Sequence, residues 1–339
     1  MKYCEIIRIF LLSGLILCST RVSAVEIKIA TLSPDGQVWM EKMREGAEEI
    51  LEKTHQRIRF KFYPGGVMGD DGAVLRKIRI GQLQGGVFVA GSLAHIFPDS
   101  QVYGLPLKFN TFEEVDYVRK RMDPVLMDGL EKNGFVSFGL AEGGFAFIMS
   151  KAPIRTIDDL RRQKVWIPDN DRMSLVVLTA FDIAPIPLTL ADVRAGLQTG
   201  LIDTVTTPPI GALALQWHTQ IKYLTETPIV YIYGFLSVDK KTFSNISPED
   251  QKILREVMGR VFREIDRRNR QDNVKALEAL RNQGIQFVKP SPDALNEWHT
   301  KVSEIYKQLV EMDRVSRHII DVLDKNLADY HSQHAEADK

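Results

Sequence analysis

The chain has 339 residues, 44 basic and 44 acidic side chains, a formal net charge of zero at pH 7, and 44% apolar residues. The even charge balance, with no basic stripe, argues against a nucleic-acid partner, and the length suits two packed domains. Both cysteines, Cys4 and Cys18, fall within the first 24 residues, which confines thiol and disulfide chemistry to that segment.

Those residues read as an export leader. Lys2 and Arg8 precede an apolar run from Ile9 to Leu17 that is too short to span a bilayer, and Val22-Ser23-Ala24 gives a small-x-small cleavage site. Leu17 is a poor neighbour for lipid attachment at Cys18. Cleavage after Ala24 removes Lys2, Arg8, Arg21 and Glu5. The count becomes 41 basic and 43 acidic, a net charge of −2 on about 315 residues. No later segment reaches membrane-spanning length, so the expected product is a freely exported protein of the periplasm, with no direct membrane insertion.

Downstream, Glu26 to Ala30 alternates as a strand, and Ser33-Pro34 offers a cap and first-turn proline for a helix through Leu51. Arg57 to Phe62 alternates again, Gly65-Gly66 breaks it, a helix follows Asp71, and Gly85 to Ala90 reads as a buried strand. This order argues a parallel α/β sheet. The rhythm resumes after about residue 140. A strand at Gly144–Ser150, a helix near Asp158–Arg161, a strand at Lys164–Pro168 and a helix at Met173–Phe181 follow in turn. Pro185-Ile186-Pro187-Leu188 is strand-like, and Thr189 with Asp192 spells a capping box for a helix ended by Gly200. Asp203–Thr207 is strand-like. Thr227–Val238 is long enough to cross between domains. A helix from Ser247 to about Asn282, ended by Gly284, is about three times the mean helix length and should span both domains. Ile285–Lys289 gives a short strand, Ser291-Pro292-Asp293 caps another helix, and the chain after Asn326 reads as a polar, frayed tail.

Several landmarks occur in a set order: Tyr63-Pro64-Gly65-Gly66 with Met68-Gly69-Asp70, Gly81 to Val87, Tyr103-Gly104-Leu105-Pro106, and Glu142-Gly143-Gly144-Phe145. Lys164-Val165-Trp166-Ile167-Pro168, Gln198-Thr199-Gly200 with Asp203, and Ser247-Pro248-Glu249-Asp250-Gln251 continue it. From about Ile27 to Leu309 this series resembles the DctP-like solute-binding proteins of tripartite ATP-independent periplasmic (TRAP) transporters. The resemblance implies a two-domain α/β periplasmic binding protein (type II-like): two mixed sheets flanked by helices, a cleft between lobes, and a long helix spanning both. The expected division is a 1–24 signal peptide, lobe I at 25–141 plus about 234–265, lobe II at 142–233 plus about 266–325, and a 326–339 tail. It also implies a receptor that hands a small organic acid to the permease subunits of a TRAP transporter.

In many members of that family, two arginines clamp a substrate carboxylate. Their positions here hold Ala146 and Trp166, so the clamp is absent. The resemblance places Thr31, Ser92, Phe145, Ala146, Trp166, Pro168, Asn170, Thr206, Thr207 and Tyr231 at the cleft. Trp166 is expected to stack on a ring or apolar face and to donate its indole N–H; a cation over that face, complemented by Glu142 and Asp171, is the other option. Core packing is the competing role for Trp166, and also for Trp217. Arg172 or His218 is the alternative source of charge. Catalytic signatures are thin: no Gly-x-Ser-x-Gly, His-Glu-x-x-His or phosphate loop, and seven histidines without metal-ligand spacing. No enzyme activity, cofactor or metal is expected. A receptor for a sensor protein, or a cleft hydrolase, is the alternative.

Overall fold

The computed structural model describes residues 24–335, and one strand long enough to serve two sheets organises it. The first half alternates β1 (Val25–Thr31), α1 (Val38–Lys53), β2 (Ile58–Tyr63), α2 (Asp71–Arg79) and β3 (Gly85–Val89), followed by 3-10 turns at Ala90–Leu93 and Pro98–Gly104 and the helix α3 (Phe112–Lys132). Strands β1, β2 and β3 pair in parallel. The strand β4 (Phe135–Ser150) then runs sixteen residues.

The second half brings α4 (Ile157–Arg161), β5 (Trp166–Pro168), α5 (Arg172–Ala180), β6 (Ile186–Leu188), α6 (Val193–Thr199), β7 (Thr204–Thr207), α7 (Pro209–Ala214) and β8 (Tyr223–Thr225). β9 (Val230–Asp239) and α8 (Lys240–Ser244) lead into α9 (Pro248–Asn282), and β10 (Gln286–Val288), α10 (Pro292–Glu311) and α11 (Arg317–Ala335) complete the described residues. The strand order is β10-β8-β4-β9-β3-β1-β2, with β7 also on β4 and β5 paired with β6. β4 pairs with β9 from Phe135 to Ala146, then with β7 and β8 from Phe147 to Ser150. One strand thus belongs to both sheets.

This corrects the expected strand at Gly144–Ser150. The strand starts earlier, at Phe135, and absorbs Gly139, Gly143 and Gly144 at register shifts between Ser137 and Leu140 and between Glu142 and Gly144, with Gly144 at φ +98°. Conversely, the Thr227–Val238 run does not form one crossing strand. β9 begins at Val230, and the Ile229 amide just before it donates to the Ala146 carbonyl of β4 at 2.9 Å.

Helix α9 keeps its expected bounds. Ser247 accepts from the Asp250 amide at 3.2 Å, and Gly284 follows at φ +89°. Over 35 residues it packs on α1, β4 and α7, touching both sheets. Two caps differ from expectation. α1 starts at Val38, because Asp35-Gly36 forms a turn with Gly36 at φ +78°, and the Ser33 hydroxyl instead accepts from the Trp39 indole. α6 starts at Val193, and the Thr189 hydroxyl donates to the Asp192 carboxylate at 2.6 Å rather than capping an amide.

The segment after Asn326 is no frayed tail up to Ala335. α11 places Ile319, Leu323 and Leu327 on one buried face, and His331 reaches Glu114 at 2.7 Å. The expected leader, residues 1–24, lies outside the described residues except for Ala24. Among those described, no helix is long and apolar enough to cross a membrane.

Candidate functional site

A cavity of about 390 Å³ lies where β4 passes from one sheet to the other. Ile148 of β4, Ile229 and the stretch Val230–Tyr233 of β9 form its floor. Val89 at the end of β3, Ala90 and Gly91 of the 3-10 turn after it, and Gly104, Pro106 and Leu107 form the wall on the first-sheet side. The second-sheet side supplies Val165–Pro168, Thr206–Pro208, Trp217 and the inner face of α5, while Trp298 and Val302 of α10 close one flank.

Of the residues expected at the cleft, Trp166, Pro168, Asp171, Thr206, Thr207 and Tyr231 line this cavity. Thr31, Ser92, Glu142, Phe145, Ala146 and Asn170 do not. The Thr31 hydroxyl accepts from the Ser33 amide, Ser92 serves the Asp71 carboxylate, and Ala146 is fully buried in the β4–β9 ladder. Phe145 packs beneath the floor against Tyr231 and Phe112. Asn170 is exposed, near Gly72 of α2. Neither Arg172 nor His218 lines the cavity, and His218 Nδ1 bonds to the Ala212 carbonyl at 3.1 Å.

Trp166 has a divided role. Its ring lines the cavity and meets Trp217 edge-on at 5.2 Å between centroids, but its indole N–H donates to the Leu188 carbonyl at 3.0 Å. That bond ties β5 to the end of β6, so the expected N–H donation to a ligand is already spent within the fold. A face remains for stacking.

Glu142, fully buried, belongs to an ionic network under the floor. The Tyr231 hydroxyl donates to Glu142 at 2.9 Å and accepts from Arg119 at 3.1 Å. Arg119 of α3 also pairs with Asp266 of α9 at 2.9 Å and Asp123 at 3.1 Å, and donates to the Leu140 carbonyl at 3.0 Å. Arg270 of α9 grips Glu142 at 2.6 Å and Asp116 at 2.8 Å. Burial pushes the Asp266 carboxyl up to about 6, outweighing Arg119 and the Glu142 amide that pull it down. Asn269 and Asn273 of α9 donate to the Glu142 and Gly143 carbonyls. The long helix is thereby clamped to the bulge in β4, directly beneath the cavity.

The cavity itself carries little charge. No lysine, arginine or histidine is among the described residues that line it, and Asp171 is its one carboxylate. Asp171 N-caps α5, accepting from the Ser174 amide at 2.9 Å and hydroxyl at 2.5 Å. Burial raises its pKa against the pull of the Ser174 and Met173 donors. The sequence reading missed the Val89–Gly91 turn, the α10 flank and the network partners Arg119, Asp266 and Arg270. Tyr103-Gly104-Leu105-Pro106 was a signal for the neighbouring loop, but nothing in the amphipathic pattern of α10 separates Trp298 from ordinary core.

A family model described as bacterial extracellular solute-binding protein, family 7, matches residues 29–313. The C4-dicarboxylate-binding periplasmic protein DctP of Rhodobacter capsulatus is 22% identical over 78% of this chain and 80% of its own length. The 2,3-diketo-L-gulonate-binding periplasmic protein YiaO of Escherichia coli is 23% identical over 70% of this chain and 73% of its own. An uncharacterized Salmonella typhimurium protein, YiiZ, is 27% identical, with 61% of this chain and 64% of that protein aligned. Among solved structures, a TRAP periplasmic solute binding protein from Desulfovibrio salexigens with bound orotic acid superposes with a TM-score of 0.81 at 18% identity, covering 90% of this chain and 99% of that one. Its counterpart from Sulfitobacter, with bound β-D-galacturonate, gives 0.79 at 21%, covering 89% and 98%.

Proposed function

Since this chain belongs to bacterial extracellular solute-binding protein family 7, we propose that it is a periplasmic receptor of a TRAP-type transporter. In this reading it captures a small organic acid with an aromatic or partly apolar body. It then delivers the acid unchanged to permease subunits in the inner membrane. The observation that carries the reading is the apolar cavity at the β4 crossing, walled from both sheets. Its volume falls in the range of small-molecule sites, about 300–1,000 Å³. Relatives named for dicarboxylates and a sugar acid support the acid class, and a relative holding orotic acid supports a ring.

We divide the lobes at 25–141 plus about 234–265 and 142–233 plus about 266–325, which places the α9 clamp at the hinge. Closure around the acid requires tighter binding to the closed form than to the open one. Trp166, Pro168, Thr206, Thr207 and Tyr231 are the proposed contacts, and Asp171 borders them.

A thermal-shift panel on the chain from residue 25 tests this role. Aromatic and branched-chain acids are expected to raise Tm progressively with concentration, reaching about 2.7 kcal/mol of stabilisation at a hundred times Kd. Recovered ligand should be chemically unchanged. Absence of stabilisation by every acid in the panel, or conversion of the one that binds, contradicts the proposal.

A further inference from the structure

We propose that the acid is held in its neutral, protonated form, so that capture draws about one proton per ligand from solvent. The inference rests on the receptor reading above and deepens it: the ligand class becomes a weak monocarboxylic acid with a ring or aliphatic chain. Its basis is the absence of an available positive charge. No cationic side chain among the described residues lines the cavity. The guanidinium groups behind the floor are committed, Arg119 to Asp266, Asp123 and the Leu140 carbonyl, Arg270 to Asp116 and Glu142. The floor phenols point away as well, Tyr231 to Glu142 and Tyr233 to the Ser100 carbonyl.

The charge in the lining itself has the wrong sign for an anion. Asp171 is the one carboxylate in the lining; outside it, Asp70 and Asp169 both act on the Asp71 carboxylate, with Arg76 of α2 beside them near Gly72 and Asn170. An ionised carboxylate moved into such a site neutralises rather than remaining charged, and two carboxylates without a cation between them do not both ionise. The neutral polar groups suit a protonated acid. The Gln101 amide, buried in the cavity wall, donates one N–H to the Arg314 carbonyl, and its oxygen is an acceptor. Such an oxygen repels a carboxylate and accepts a carboxylic O–H. The Thr206 hydroxyl makes no hydrogen bond among the described residues and lies in the same lining.

Titration calorimetry at pH 5 and 7, in buffers of different ionisation heat, tests the inference. The probes are phenylacetate, indole-3-acetate and 4-methylpentanoate, with 2-phenylethanol as the uncharged comparison. For an acid of ordinary carboxyl pKa, about 4.3, only roughly one molecule in 500 is protonated at pH 7. The apparent affinity should therefore fall close to a hundredfold from pH 5 to pH 7, with uptake approaching one proton at the higher pH, while 2-phenylethanol binds equally at both. Acid affinity independent of pH, without proton uptake, overturns the inference while leaving the receptor role standing. If neither the acids nor the alcohol bind at either pH, the apolar-acid reading itself has failed.

Discussion

Replacing Arg119 with methionine should destabilise the folded protein by about 3–5 kcal/mol, the range seen when one partner of a buried ion pair is removed. Arg119 is nine-tenths buried and faces Asp266, Asp123, the Glu142–Tyr231 pair and the Leu140 carbonyl at once. Its burial opposes its charge, but Tyr231, Asp123 and Asp266 more than compensate and hold the guanidinium charged. Without it, Asp266 and Glu142 share a buried site with only Arg270 to neutralise them. Urea unfolding followed by circular dichroism reads the loss as a lower midpoint at unchanged slope. Adding Asp266→Asn should restore part of the stability, because one of the stranded carboxylates is then neutral, and the double-mutant cycle isolates that coupling. A loss below about 1 kcal/mol would mean that the network behaves as a solvated surface cluster.

Trp166→Ala should lower stability by about 3–5 kcal/mol and weaken ligand binding at least tenfold. The two effects have separable causes. Stability falls because the ring packs on Trp217 and its N–H holds the Leu188 carbonyl, a bond between β5 and the end of β6. Binding falls because the same ring lines the cavity. Trp166→Phe separates them: it keeps an aromatic face, so most affinity should persist, while the orphaned carbonyl costs about 1–3 kcal/mol. Affinity unchanged in a folded Trp166→Ala protein would leave Trp166 as core alone.

Much of the scaffold was legible because its signals are local. Ser247 and Gly284 bracket α9 with a side-chain cap and a left-handed glycine, and the alternation of Ile58, Phe60 and Phe62 specifies β2. Cap motifs misled where an intervening glycine or turn took precedence, as Gly36 did after Ser33. Continuous apolar strands misled through their glycines. β4 hides its sixteen-residue course behind Gly139, Gly143 and Gly144, whose cost is absorbed by bulges that only the partner strand β9 reveals.

The site was half legible for a related reason. Trp166, Pro168, Thr206 and Thr207 sit on strands or turns whose ends converge on the cavity, so chain order locates them. Glu142 did not behave as a cleft residue, because its partners Arg119 and Arg270 arrive from helices 23 and 128 residues away in sequence. No local spacing encodes such a meeting. Trp298 reaches the cavity from α10, near the far end of the chain, for the same reason.

The central claim is that a solute is enclosed at the β4 crossing, and a crystal structure grown with the tightest-binding acid from the panel tests it most directly. The account predicts ligand density over Tyr231, bounded by Trp166 and Pro168 on one side and the Val89–Gly91 turn on the other, with no guanidinium in contact with the carboxyl group. Density for the acid elsewhere on the protein, with this cavity empty, would contradict it.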